Sequence, residues 1–322
     1  MGFAHPVEDA NAGSLFGGLT SEEFYEKHGV VHRDALMQNK GGMNIFTQSW
    51  HPKHALPLKG LVGVVHGFTG STNWLVQLTA IAIAKQGFCV YALDHQGHGY
   101  SEGLRAHIPD IKPVVDDCLQ FFDYARASNP DLPAFLYSES LGGAIALLIH
   151  LRQRDVWAGA VLNGAMCGIS AKFKPPWPLE HLLSIVAWAA PTWEIVPTKA
   201  LPTVSFKVEW KRSLAIKDPH RSMSRPRAAT ALELLRICGE LQTKFSEVTL
   251  PLLIVHGAED VVCDPECVRA LYENAGSEDK TLKIYEGMWH QLVGESNEDV
   301  SKVYGDVCDW LCEQADKARR AE

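Results

Sequence analysis

Apolar runs that alternate with stretches of helical spacing constrain this chain most. Leu61-Val62-Gly63-Val64-Val65 has no polar position, so a strand built from it must be buried on both faces. The next stretch, 74–86, sets Leu75, Leu78, Ile81 and Ala82 at helical spacing. The same alternation predicts strands at 88–93, 134–137, 159–162, 252–255 and 281–285. It predicts helices at 114–126, 141–152, 228–238, 265–275 and 300–314. Such a rhythm specifies an α/β fold, with a mostly parallel central sheet flanked by helices. Ligands of these sheets bind beyond the carboxyl ends of the strands, so chemistry is sought there. Upstream, Thr20-Ser21-Glu22-Glu23 reads as a helix start, with a capping hydroxyl and acids in the first turn. Two further strands are expected near 30–37 and 43–50.

One segment breaks the rhythm. Residues 164–226 hold Pro175, Pro176, Trp177, Pro178, Pro191, Trp193, Pro197, Pro202 and Trp210, and no clean strand–helix pair fits them. They read as an insertion that caps the sheet. The core is then 20–163 together with 227–322, and residues 1–19 are expected to be a loose lead-in. A net charge of −8 without a basic run gives no electrostatic basis for binding nucleic acid. The apolar stretch at 182–190 is too short to span a bilayer. The first residues lack a basic end followed by an apolar core, so a cytoplasmic setting is expected. The eight cysteines include Cys263 with Cys267 and Cys308 with Cys312, each pair spaced for one helix face. The short paired spacings of thiolate metal sites are absent, so these read as free thiols, with no metal expected.

The sharpest local signal is Ser138-Glu139-Ser140-Leu141-Gly142-Gly143, where an apolar strand ends and a helix begins. A nucleophile elbow needs this setting, with small residues two before and two after the nucleophile. Ser138 stands where the usual pattern has glycine, and the bland alternative is a strand–helix turn without chemistry. A serine hydroxyl needs a base to take its proton. Asp260 follows the strand at 252–255, with Glu259 and Asp264 as competing acids nearby. Downstream of Asp260 the chain holds one histidine, His290, in a loop after the last predicted strand. An acyl-transfer intermediate also needs two backbone donors for its oxyanion. The amide of Leu141 directly follows the nucleophile, and that of Phe68 lies in the loop after the strand at 61–65. Asp94, His95 and His98 sit close enough to suggest a metal, but a hydrogen-bonded turn is the better reading. No phosphate loop or dinucleotide fingerprint is present, and no cofactor is expected.

Together these motifs resemble a family. His66-Gly67-Phe68, Asp94-His95-Gln96-Gly97-His98-Gly99, Ser138-Glu139-Ser140-Leu141-Gly142-Gly143 and His256-Gly257-Ala258-Glu259-Asp260 are similar to the monoacylglycerol lipase-like hydrolases. The tail from Asp279 to His290 looks like the plant branch, which includes lysophospholipase-like enzymes and caffeoylshikimate esterases. The resemblance spans roughly 15–310 and implies the α/β-hydrolase fold and cofactor-free ester cleavage. It implies Asp260 as the acid, Ser140 as nucleophile, His290 as base, and Phe68 and Leu141 as oxyanion donors. Ser138 and Cys263 depart from its usual pattern. A small ester is the expected partner, first a monoacylglycerol or lysophospholipid and second a caffeoylshikimate-type ester. Acyl transfer and non-catalytic ligand reception are the competing functions. In the cap, Leu179, Leu182, Leu183, Val186 and Ala187 make an apolar helical stripe. Leu179, Leu183 and Val186 are expected to line an acyl pocket, or the stripe rests on a membrane surface. The alternative is that it merely packs on the sheet domain.

Overall fold

A computed structural model describes residues 3–54, 57–168, 179–194, 200–223 and 225–321. The chain opens with α1 (Ser21–Lys27), β1 (Val30–Gln38), β2 (Asn44–Pro52) and β3 (Gly60–Val65). Then come α2 (Leu75–Ala84), β4 (Phe88–Leu93), α3 (Lys112–Ala127), β5 (Ala134–Glu139), α4 (Leu141–Arg152) and β6 (Gly159–Asn163). After β6 follow α5 (Leu179–Ala189), α6 (Leu201–Ser205), α7 (Glu209–Ile216) and α8 (Ala228–Gln242). The chain ends with β7 (Leu252–Gly257), α9 (Pro265–Asn274), β8 (Lys280–Tyr285) and α10 (Asn297–Ala321).

The strands form one sheet in the order β1-β2-β4-β3-β5-β6-β7-β8. β1 and β2 pair antiparallel, as do β2 and β4, and every other neighbour pair is parallel. This is the architecture that the alternation predicts. Within β3, Leu61 and Val65 face one core, while Val62 and Val64 face the other. The strand period of two thus feeds two apolar layers. One layer joins the sheet to α3, α4, α8 and α9, and the other joins it to α1, α2 and α10. Each fully buried Leu or Val contributes about 1.5–3 kcal/mol, which favours apolar runs in the central strands, with polar residues confined to their carboxyl ends.

At α1 the expected start is a full capping box. Thr20 Oγ1 accepts from the Glu23 amide at 3.2 Å, and Glu23 Oε2 accepts from the Thr20 amide at 2.9 Å. The N-terminal segment differs from expectation. Val7 and Leu15 are buried in the same layer as α2 and α10, and Phe16 packs on Phe24 at 5.2 Å. Its isolated apolar residues fill gaps in an existing core, so no periodicity announces them. The described parts of 164–226 hold three helices, α5, α6 and α7, joined by turns and irregular chain. Residues 169–178, with Trp177 and Pro178, and the Leu179 side chain lie outside the described residues.

Candidate active site

Ser140 sits between the end of β5 and the start of α4, with φ +55° and ψ −119°. A residue with a Cβ reaches such a conformation at a cost of about 1–3 kcal/mol, so the surroundings must enforce it. Three backbone hydrogen bonds do. The Ser140 amide donates to the Asn163 carbonyl at 3.0 Å, and the Ser140 carbonyl accepts from Gly143 at 2.9 Å and Met166 at 2.8 Å. Close packing explains the glycines. A Cβ on Gly142 would collide with the Val65 carbonyl, and one on Gly67 would stand 3.0 Å from the Ser140 Cβ. Ser138 replaces the usual glycine by turning its hydroxyl sideways: buried Oγ donates to the Val161 carbonyl on β6 at 3.0 Å.

The structure brings the three residues singled out from sequence into contact. His290 Nε2 lies 3.0 Å from Ser140 Oγ, and His290 Nδ1 lies 2.6 Å from Asp260 Oδ2. Asp260 Oδ1 accepts from the amides of Val262 at 2.7 Å and Cys263 at 3.0 Å. Burial opposes the charge on Asp260, but His290 and His256 beside it hold its carboxyl well below the usual carboxylate range. An ionised Asp260 accepts the Nδ1 proton, which leaves Nε2 unprotonated and facing the serine hydroxyl. That arrangement can take a proton from Ser140. The competing acids serve elsewhere. Asp264 caps α9 by accepting from the Glu266 amide at 3.0 Å, and Glu259 is exposed.

Phe68 lines the cleft that holds Ser140 and His290, and Leu141 begins α4 directly after the nucleophile. Among the described residues neither amide has a protein acceptor. The loop that carries Phe68 is held from below. The His66 ring lies 2.8 Å from the Gly67 carbonyl through Nδ1, and its Nε2 accepts from the His95 amide at 3.0 Å. Burial pushes His66 well down in pKa and His95 to about 3, so both are neutral structural pins. Asp94 is equally occupied. Its oxygens accept from Thr72 N at 2.6 Å, Thr72 Oγ1 at 2.8 Å and Tyr100 N at 2.9 Å. The Asp94, His95 and His98 cluster is therefore a hydrogen-bonded turn. One other grouping resembles a ligand set: Asp260, Cys263 and His290 offer donor atoms within 4.8 Å of one another. There Asp260 and His290 already use those atoms on each other, and burial drives the Cys263 thiol far up in pKa.

Of the cap residues expected at the substrate, Leu183 and Val186 do not line this cleft, and the Leu179 side chain lies outside the described residues. Leu183 and Ala187 pack with Ala228 and Ala231 of α8, with Val186 against the same cluster. The small residues of α8 let α5 lie close, so this stripe is spent on helix–helix contact. Leu182, Ile185 and Trp188, on the other face of α5, are exposed. The cleft is instead walled by Trp74, Leu75, Val76, Leu201, Phe206 and Val262.

Sequence reasoning missed several polar groups here. His256 Nε2 sits 3.1 Å from Asp260 Oδ2, a second imidazole on the same oxygen. Behind the nucleophile, Tyr137 donates to buried Glu139 at 2.7 Å, and Asn163 Nδ2 donates to Tyr137 at 2.8 Å and Tyr304 at 3.1 Å. Burial raises the Glu139 pKa despite the Tyr137 bond. A charged residue immediately before the nucleophile was the available signal for this network. Arg221, from the segment before α8, also lines the cleft.

A model of the family described as serine aminopeptidase, S33 matches residues 57–297. The chain is 34% identical over 316 residues to caffeoylshikimate esterase of Arabidopsis thaliana, covering 97% of this chain and 95% of that one. It is 30% identical over 288 residues to monoglyceride lipase of Homo sapiens, covering 88% and 91%. A solved structure of a soluble variant of monoglyceride lipase from Saccharomyces cerevisiae, in complex with a substrate analog, superposes with a TM-score of 0.76. That match covers 88% of this chain and 95% of the other at 19% identity, so it speaks to fold alone. Eight strands in this order, a strained serine between strand and helix, and a family match across most of the length lead to one assignment: the chain belongs to the serine aminopeptidase S33 family of α/β hydrolases.

Proposed function

We propose that the protein hydrolyses a carboxylic ester through an acyl-enzyme on Ser140. The observation that carries this reading is the continuous contact from Ser140 Oγ through His290 to buried Asp260, with Ser140 and His290 both opening on one cleft. Ser140 Oγ attacks the ester carbonyl carbon as His290 Nε2 takes the hydroxyl proton. The tetrahedral oxyanion is held by the amides of Phe68 and Leu141. Collapse breaks the ester C–O bond, and the His290 proton passes to the departing alcohol. Water then attacks the acyl carbon with His290 again as base, releasing the acid and restoring Ser140. Asp260 stays ionised throughout and steadies the imidazolium. No cofactor enters this sequence.

Trp74, Leu75, Val76 and Phe206 favour an ester with a sizeable apolar acyl part. A monoacylglycerol or lysophospholipid meets that requirement. A hydroxycinnamoyl ester meets it too, and likeness to caffeoylshikimate esterase over 97% of the chain favours this second reading. We further propose that 164–226 acts as a cap over a core of 20–163 and 227–322, in a cytoplasmic setting. Among the described residues no helix is long and apolar enough to cross a membrane. The exposed Leu182, Ile185 and Trp188 support reversible contact between the cap and a membrane surface. A panel of monoacylglycerols, lysolipids and hydroxycinnamoyl esters tests the function. Turnover of at least one class that is lost in Ser140→Ala supports it. Tight binding of such esters with no turnover would point to a receptor instead.

A further inference from the structure

Arg221 stands in the cleft with no direct ion pair among the described residues. It lines the same space as Ser140 and His290. Its Nε is buried with no partner, and its one side-chain hydrogen bond among the described residues is a long 3.4 Å approach to Thr69 Oγ1. No carboxylate among the described residues lies within the 4.0 Å of an ion pair with it. Its guanidinium instead lies 5.9 Å from the centroid of the Phe206 ring. Burial opposes its charge, which Asp218 and Glu139 favour from further away. Of these two acids Glu139 lines the cleft and is occupied by Tyr137, while Asp218 lies outside the cleft lining with its Oδ2 buried and unpartnered.

Arg221 is half-buried, and a guanidinium Nε held out of water with no acceptor is costly for the free protein unless something supplies one. The fork of N–H donors matches a carboxylate or phosphate in two-point fashion, and the Phe206 ring beside it shields such a contact from water. A merely structural role, pinning the segment before α8 to the loop after β3, would call for better acceptors than one distant hydroxyl. We propose that Arg221 determines specificity by binding an anionic group, carboxylate or phosphate, carried by the ester substrate. The proposal rests on the serine-hydrolase reading above, since it places the anion on the ester that Ser140 attacks. It excludes a neutral glycerol ester as the preferred substrate.

The test separates the two readings. In Ser140→Ala, which cannot turn over, calorimetry compares three matched pairs of ligands. One pair is a hydroxycinnamoyl ester of a carboxylate-bearing alcohol and its methyl-capped form. Another is a lysophosphatidic acid and the corresponding monoacylglycerol. The third bears the carboxylate at the far end of the acyl chain, against its amide. Binding at least about tenfold tighter for the anionic member of one pair supports the proposal, and which pair responds identifies the source of the anion. Equal affinity within all three pairs overturns it, whether or not the wild type hydrolyses esters. In the wild type, Arg221→Gln should lower the ratio of kcat/KM for the anionic over the neutral member by about 10–150-fold, chiefly through KM. Arg221→Lys should restore part of that ratio. Equal losses on both members, with a lowered melting temperature, would show a structural role and overturn the proposal.

Discussion

Replacing Asp260 by asparagine tests the wiring of the site most sharply. The amides of Val262 and Cys263 donate to Oδ1, so only an oxygen can stand opposite them. In the Asp260→Asn variant the carboxamide oxygen therefore takes that place. Its NH2 then faces His290 Nδ1, where Oδ2 stands at 2.6 Å in the native protein. An NH2 there donates, so Nδ1 must accept and the imidazole proton moves to Nε2. His290 then presents N–H to Ser140 Oγ across the 3.0 Å contact and cannot take its proton. Loss of the correct tautomer costs about 10⁴-fold in kcat, or roughly 5.5 kcal/mol at about 1.36 kcal/mol per tenfold. The assay is kcat and kcat/KM on a short soluble ester, with circular dichroism to verify the fold. Retention of activity within about tenfold would refute the reasoning, because the imidazole would then not depend on Asp260 for its orientation.

Other expectations follow from the same geometry. Ser138→Gly removes the bond to the Val161 carbonyl and adds backbone freedom, so it should cost about 1–2 kcal/mol in a urea melt yet leave ester turnover largely intact; a collapse of activity would make Ser138 more than a spacer. Leu183→Ser together with Val186→Ser should unseat α5 from α8 and reduce turnover of long-chain and short soluble esters alike, and a loss confined to long chains would return these residues to the acyl pocket. Changing Leu182, Ile185 and Trp188 to Ser should weaken sedimentation with anionic lipid vesicles; unchanged sedimentation would remove this face from membrane contact. Asp260 has a folded pKa below its unfolded value, so its contribution to stability is present above about pH 4 and fades as pH falls below that. The stability gap between wild type and Asp260→Asn should hold steady above about pH 5 and narrow as pH falls below about 4, and a gap that widened towards acid would reverse the sign of the argument.

Much of this molecule is readable from local pattern, and the remainder is not for definable reasons. β3 and β4 are legible because strands buried on both faces read as continuous apolar runs, and β5 shows the same run up to Tyr137. Ser140, Asp260 and His290 are legible because each follows a strand, in the required order, with one histidine to choose from. The pattern puts Leu183 and Val186 at the substrate because a helical stripe reveals that a face is buried without revealing what covers it. α8 covers it. Val7 and Leu15 give no signal, since single apolar residues in a Gly- and Asn-containing stretch have no period. His256 stands within a recognisable motif, but its contact with Asp260 depends on a turn geometry that spacing alone does not specify. Arg221 is the hardest case. Its meaning lies in what it lacks, and only the folded cleft shows that its Nε has no acceptor.

Trapping the acyl-enzyme tests the central claim most directly. Wild-type protein is mixed with an activated ester, quenched in acid within milliseconds to seconds, and analysed by intact mass and peptide mapping. The account predicts one acyl group per chain on the peptide containing Ser140, decaying as acid is released, with no acylation in Ser140→Ala and greatly slowed acylation in His290→Ala. An acyl group on any other residue, or ester turnover that persists in Ser140→Ala, would contradict it.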